Sequence, residues 1–262
     1  MDFTIDKKRG YAATGNRELD PDLATVMFIH GAGQDHTIWV LPTRYFVRHQ
    51  RNVLAVDLPG HGRSEGPPLP TIEDMADWVI AVLESTGLET AAVVGHSVGT
   101  LVALETAVRH PNRVRAVAMV GTSVPMSVSD ALLNSARDDK HLALDMLTLW
   151  GHSRAAHLGG NATPGMWMLG GGIRLLERAG PGVVYNDLKA CAEYTRGLEN
   201  AATVSCRVLL ILGERDAMTP TRAAVDVTKA LPNAETVVME GSGHALLSER
   251  PDPVLDALIK VV

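Results

Sequence analysis

The sequence predicts an α/β protein: a mostly parallel sheet with helices on both faces, interrupted by a helical insertion. Three observations predict it. Apolar strand-type runs alternate with helix-type runs between residues 25 and 120, the pattern of a parallel sheet covered on both sides. The alternation stops between Pro125 and Val204, where helical pieces separated by glycines replace strong strands. It resumes with an apolar strand at 207–212. The expected organisation is one core, residues 1–124 and 205–262, carrying an inserted helical cap at 125–204.

Taken in order, residues 1–24 are polar and turn-rich, with a short hairpin expected around 3–5 and 11–13. Thr25-Val26-Met27-Phe28-Ile29 is a buried strand running into the turn His30-Gly31-Ala32-Gly33. Residues 38–49 read as a short helix interrupted near Pro42. A strand at 53–56 ends in the turn-rich loop Asp57-Leu58-Pro59-Gly60-His61-Gly62-Arg63-Ser64. Thr71 can cap a helix in which Ile72, Met75, Ala76, Val79, Ile80 and Leu83 recur at helical spacing, and Gly87 ends it. A strand at 91–94, a helix at 100–109 stopped by Pro111, and a strand at 114–120 follow.

In the insertion, helical pieces are expected at 129–136, 141–150, 163–169, 172–179 and 185–196, with Gly170-Gly171-Gly172 as a flexible joint. After it come the strand at 207–212, a helix at 221–231, a strand at 235–239 and a closing helix at 253–262.

Composition excludes several classes of function. Hydrophobic residues make up 46% of 262, enough for a real core, and the net charge of −6 carries no Lys/Arg block. Nucleic-acid binding is therefore not expected. The first nine residues are polar, without the apolar stretch of a secretory leader, and no apolar run approaches a membrane span. Cys191 and Cys206 are too few and too far apart for a disulfide framework, so a reduced, cytoplasmic setting is expected. Self-association is left open. Gly31-Ala32-Gly33 begins like a dinucleotide fingerprint, but His36 stands where the third glycine belongs. His141, His152 and His157 lack metal-ligand spacing, and no metal site is expected.

The chemistry centres on Gly95-His96-Ser97-Val98-Gly99, which lies between a strand and a helix. This is the G-x-S-x-G pattern, whose glycines permit a turn sharp enough to lift the serine out of the sheet. Asp216 and His244 also lie just past strand ends, giving the order Ser, acid, His. A serine hydroxyl needs a base, imidazole titrates in the working range, and a carboxylate fixes the ring. Ser97, His244 and Asp216 are therefore the candidate nucleophile, base and orienting acid. Glu214 is a competing acid, and Asp216 and His244 can also be read as ordinary loop residues. Ala32 and Val98 are the candidate oxyanion donors through their backbone N–H groups. His96 is assigned to packing beneath the turn, because neighbouring side chains of a strand point to opposite faces. Trp39, Met126, Trp150 and Trp167, with Met146, Met166 and Met168, are candidates for an acyl pocket.

His30-Gly31-Ala32-Gly33, the 57–64 loop, Gly95–Gly99, Gly213-Glu214-Arg215-Asp216 and Gly243-His244 together resemble the α/β-hydrolase family. The resemblance covers nearly the whole chain apart from the insertion. It implies a mostly parallel sheet, a helical cap after the sixth strand, a Ser97–His244–Asp216 triad and no cofactor. Ser97 departs from the haloalkane dehalogenase and epoxide hydrolase branches, which carry an aspartate nucleophile. The expected activity is hydrolysis of small to medium carboxylic esters through an acyl-enzyme, with a small ester-like molecule as substrate and a homo-oligomer as an open possibility. The same triad could instead act on a lactone, an amide or N-terminal proline peptide, or a C–C bond. For the peptide reading, Glu177, Glu193 and Glu199 are the available acids. A ligand receptor with little turnover is the alternative of another class.

Overall fold

The computed structural model describes residues 1–160 and 166–262 of the chain. Eight strands form one sheet: β1 (Asp2–Ile5), β2 (Lys8–Ala13), β3 (Thr25–Ile29), β4 (Asn52–Asp57), β5 (Ala91–His96), β6 (Val114–Val120), β7 (Arg207–Gly213) and β8 (Ala234–Met239). Their order is β1-β2-β4-β3-β5-β6-β7-β8. β1 pairs with β2, and β2 with β4, antiparallel; every later pairing is parallel. Each residue of β3, β4 and β5 is buried, which is why the middles of these strands read as apolar runs and not as alternating ones.

The helices outside the insertion are α1 (Val40–Arg48), α2 (Ile72–Ser85) and α3 (Val98–Arg109). Between β6 and β7 lie α4 (Asp130–Arg137), α5 (His141–Gly151), α6 (Arg154–His157), α7 (Met168–Leu176), α8 (Val183–Glu193) and α9 (Gly197–Ala201). α10 (Val225–Ala230), α11 (Leu246–Glu249) and α12 (Pro251–Ile259) close the chain. The sheet separates two apolar cores. One packs residues of α2, α3 and α10 on the sheet, the other packs Trp39, Phe46 of α1 and Val254, Ala257 and Leu258 of α12. A third cluster joins Leu132 and Ala136 of α4, Ala143 of α5, and Val184 and Leu188 of α8.

Local rules explain the boundaries. The Thr71 hydroxyl accepts from the Asp74 amide at 3.0 Å, capping α2 as expected, and Ser129 and Ser153 cap α4 and α6 in the same way. Pro42 does not interrupt α1. It stands in the first turn, behind a 3₁₀ turn at His36–Trp39, where a helix has no intrahelical acceptor for its N–H. The Gly170-Gly171-Gly172 run is not a joint: all three lie inside α7. The Trp167 ring covers Gly170 so closely that a Cβ there would sit 2.2 Å from it, and this packing offsets the helix cost of glycine. Of the helix expected at 163–169, residues 163–165 lie outside the described residues, Met166 and Trp167 are not helical, and 168–169 open α7. α6, α9 and α11, each five residues or fewer, were not anticipated; a single turn is too short to show a hydrophobic period.

Candidate active site

The carboxyl ends of β3, β5, β7 and β8 point to one end of the sheet, where ligands collect in parallel α/β folds. Ser97 stands between β5 and α3 with φ 54° and ψ −122°, a positive φ rare outside glycine. The turn is possible because its flanks lack side chains. A Cβ on Gly95 would fall 1.9 Å from the carbonyl oxygen of Gly99, and one on Gly99 would fall 2.5 Å from that of Ile29. The Ser97 amide is anchored to the Val120 carbonyl at 3.0 Å. Ser97 occupies the N-cap position of α3, yet its hydroxyl makes no cap bond, so the oxygen is left for the cavity it borders.

His244 follows β8, with Nδ1 2.8 Å from Oδ2 of Asp216 at the end of β7. Asp216 is buried. Its Oδ1 accepts from the amides of Met218 and Thr219 at 2.8 and 2.7 Å, and Oδ2 accepts from the Thr219 hydroxyl at 2.7 Å. Burial pushes this carboxyl up, but the adjacent His244 and these hydrogen bonds outweigh it and hold it down at about 2. Asp216 therefore keeps its charge through the neutral range. Glu214, the competing acid, instead accepts from the Gly241 amide and lies beside Arg215.

Ser97 and His244 border the same cavity, of about 210 Å³, together with Ala32, Met126 and Trp150. Val98 opens α3, where helix amides have no intrahelical acceptor. Two pocket candidates are misplaced. Trp39 is fully buried on the opposite side of the sheet, stacked on Phe28 with centroids 4.8 Å apart. Trp167 is 71% exposed, lies on Gly170 and is not part of the cavity wall. An aromatic residue in a helical stretch announces burial or contact without saying against which layer.

His96 is buried and touches this site. Its Nε2 lies 3.0 Å from the His244 carbonyl and its Nδ1 3.1 Å from Gln34 Oε1. Burial, aided by His244, lowers it to about 3, so the ring is neutral and donates to one of these acceptors. Gln34 Oε1 also accepts from the Gly31 amide at 3.0 Å, which stiffens the loop carrying Ala32.

Several functional supports were not singled out from sequence. Thr219 is one. Asp187 of α8 is another: its Oδ2 accepts from the Gly33 amide at 2.9 Å and from His61 Nε2 at 2.8 Å. His61 Nδ1 also donates to the Pro59 carbonyl at 3.1 Å. Burial opposes the charge on both partners, but their mutual attraction wins, raising His61 and lowering Asp187. The His30 ring lies tilted against His61, with its Nε2 accepting from the Leu58 amide, and burial lowers it to about 4. Glu249 of α11 is a third: its Oε1 accepts from the amides of Gly243 and Ser153 at 3.0 and 3.2 Å.

The wall of the cavity contains no Asp, Glu, Lys or Arg among the described residues. Glu177, Glu193 and Glu199 pair instead with Arg174, Lys189 and Arg196 and border no part of it. Cys191 does border it, but burial raises its thiol far above the range of a nucleophile. One group brings three potential metal ligands within 4.8 Å, namely Asp35, His36 and Asp57. Its donors are already engaged: Asp57 accepts from His36 and the Arg63 amide, and Asp35 from Thr37 while paired with Arg178.

A nearly all-parallel sheet with a serine turn after β5 and a His–carboxylate pair after β7 and β8 defines a recognisable class of α/β protein. The family model described as alpha/beta hydrolase fold matches residues 24–251, and the chain belongs to that family. It is similar to a pimeloyl-[acyl-carrier protein] methyl ester esterase of Aromatoleum aromaticum, 31% identical over 249 residues, covering 88% of this chain and 94% of that protein. A shorter match, 43% identical over 110 residues, is to the dihydrolipoyllysine-residue acetyltransferase component of the acetoin cleaving system of Cupriavidus necator; it spans 41% of this chain and 28% of that protein. Among solved structures, the enol-lactonase from Burkholderia xenovorans LB400 superposes with a TM-score of 0.86 at 20% identity, covering 98% of both chains. No helix among the described residues is long and apolar enough to cross a membrane.

Proposed function

We propose that this hydrolase cleaves carboxylic esters of small to medium size, with Ser97 as nucleophile, His244 as general base and Asp216 as the orienting acid. The single observation that carries the reading is the 2.8 Å bond from His244 to a buried, ionised Asp216, at the cavity that Ser97 borders. With Nδ1 of His244 engaged, Nε2 is the nitrogen left to take the Ser97 proton. Ser97 Oγ attacks the ester carbonyl while that proton passes to His244. The tetrahedral oxyanion is held by the amides of Ala32 and Val98, each such donor contributing about 3 kcal/mol in comparable sites. Collapse expels the alcohol, which takes that proton from His244. Water then repeats the sequence on the acyl-enzyme and regenerates Ser97.

The uncharged cavity wall supports a neutral substrate and gives no anchor for a peptide amine. The relative from Aromatoleum aromaticum is a methyl ester esterase by name, which supports an ester bond over the C–C alternative. Residues 125–204 act as the cap that encloses the acyl group, with Met126 and Trp150 against it. No cofactor takes part.

The test is hydrolysis of p-nitrophenyl acetate and butyrate, together with labelling by a fluorophosphonate. The expected result is turnover and one label, both lost in Ser97→Ala. Turnover that survives in Ser97→Ala overturns the assignment, and a native protein that binds esters without label or turnover is a receptor.

A further inference from the structure

Thr148 on α5 lies in the cavity wall and is 2% exposed, yet its hydroxyl has no hydrogen-bond partner among the described residues. This is unusual for a helical threonine, which ordinarily turns its hydroxyl onto the carbonyl four residues back. Thr106 and Thr228 of this chain do so, at 2.7 and 2.8 Å. An unpaired buried hydroxyl costs about 1–3 kcal/mol. The oxygen itself is covered, so turning it about χ1 into the place of its methyl, which faces Gly172 beside His152, breaks no hydrogen bond and brings it to a partner that arrives from the cavity. Trp39 Nε1 and Thr43 Oγ1 are also buried without partners among the described residues, but neither residue borders this cavity.

One turn further along the chain, His152 borders the same cavity. Its Nδ1 donates to the Thr148 carbonyl at 2.8 Å, which fixes the tautomer and leaves Nε2 as an acceptor. Burial keeps the ring neutral. Both side chains lie against Gly172 of α7: a Cβ there would meet His152 Cε1 at 3.3 Å and Thr148 Cγ2 at 3.6 Å. A side chain at 172 would therefore press on this corner.

We infer that Thr148 and His152 form a polar subsite for a hydroxyl group on the substrate. An alcohol is the simplest group that accepts from Thr148 Oγ and donates to His152 Nε2. A carbonyl oxygen can only accept, and a carboxylate would lose its water in a wall that offers no counter-charge. The preferred substrate is thus an ester of a hydroxy-substituted acid or of a polyol, bearing one hydroxyl away from the scissile bond. This rests on the ester reading, and the test keeps the two apart.

The experiment measures binding to Ser97→Ala protein, independent of turnover, for methyl pentanoate and its 2-, 3-, 4- and 5-hydroxy derivatives and for glycerol monobutyrate beside propyl butyrate. At least one hydroxylated member should bind on the order of tenfold tighter than its parent, the scale of one well-made hydrogen bond. Adding Thr148→Val should bring that ratio close to one, while Thr148→Ser retains it. Equal binding of all hydroxylated and parent esters, or a preference that survives Thr148→Val, overturns the subsite. A Thr148-dependent preference in a protein without Ser97-dependent turnover would uphold the subsite and reject the esterase reading.

Discussion

Asp187 and His61 lie 126 residues apart in sequence and meet at 2.8 Å, each side chain 1% exposed. The bond joins α8 of the insertion to the loop after β4, and the same carboxylate holds the Gly33 amide, one residue past Ala32. One buried acid therefore fixes the insertion, the 57–64 loop and the proposed oxyanion loop relative to each other.

Breaking this pair should be costly. Asp187→Ala leaves His61 Nε2 and the Gly33 amide buried without their acceptor, and a loss of about 3–5 kcal/mol is expected from urea unfolding. The loss should depend on pH. His61 is raised above its ordinary 6.5, so its contribution is full below that value and fades as pH rises through the folded-state pKa. Asp187 is lowered below its ordinary 3.8, so its contribution is full above that value and fades as pH falls through the folded-state pKa. The stability gap between wild type and Asp187→Asn should be widest between 3.8 and 6.5 and shrink on either side. A gap independent of pH would mean that the pair is not charged.

Thr219 bonds Asp216 Oδ2 at 2.7 Å and lies 3.1 Å from His244 Nδ1. Thr219→Val should lower kcat about tenfold with KM within about twofold, as expected for loss of an interaction that orients the base during reaction. Asp216→Asn should be far worse, about 10⁴-fold in kcat, because the ring loses its preferred tautomer. Steady-state kinetics on p-nitrophenyl butyrate would distinguish the two variants, and equal effects would contradict the assigned division of labour.

Glu249 accepts from the amides of Gly243 and Ser153 through one oxygen. Beside it, the Ala245 amide donates to the Gly151 carbonyl at 2.8 Å, so the His244 loop is stitched to the end of α5. Glu249→Ala should destabilise the fold by about 2–4 kcal/mol and reduce turnover, since two buried amides lose their acceptor. Glu249→Gln keeps an amide oxygen in place and should recover most of both. A Gln variant as impaired as Ala would show that the charge itself is required.

Glycines should separate into two kinds in thermal unfolding. Gly99→Ala forces a methyl group within 2.5 Å of the Ile29 carbonyl and should cost at least about 3 kcal/mol. Gly171 lies inside α7 with open space where a Cβ would go. Gly171→Ala should stabilise the protein by roughly 0.5–1 kcal/mol, through helix propensity and a less flexible unfolded chain.

Much of this architecture was legible because it depends on short-range chemistry. The central strands are buried on both faces, so β3 appears in the sequence as an apolar run and β6 as one broken only by the exposed Arg115, each with the same bounds as in the structure. Gly95 and Gly99 announce the serine turn because no other residue fits beside their backbone neighbours. Ser97, Asp216 and His244 could be nominated because each follows a strand end, and strand ends converge in a parallel sheet.

The sequence by itself therefore determined the sheet, the turn and the residue types at the candidate site. Only the tertiary structure decided which side chains share the cavity. It sent Trp39 to the far core and Trp167 to the surface, although both had looked like pocket residues. It also brought Asp187 to His61 and set Thr148, whose hydroxyl has no partner among the described residues, in the cavity wall. Periodicity tells that a helix has a buried face but not what that face meets, because the packing of one helix on another is set by contacts distant in the chain.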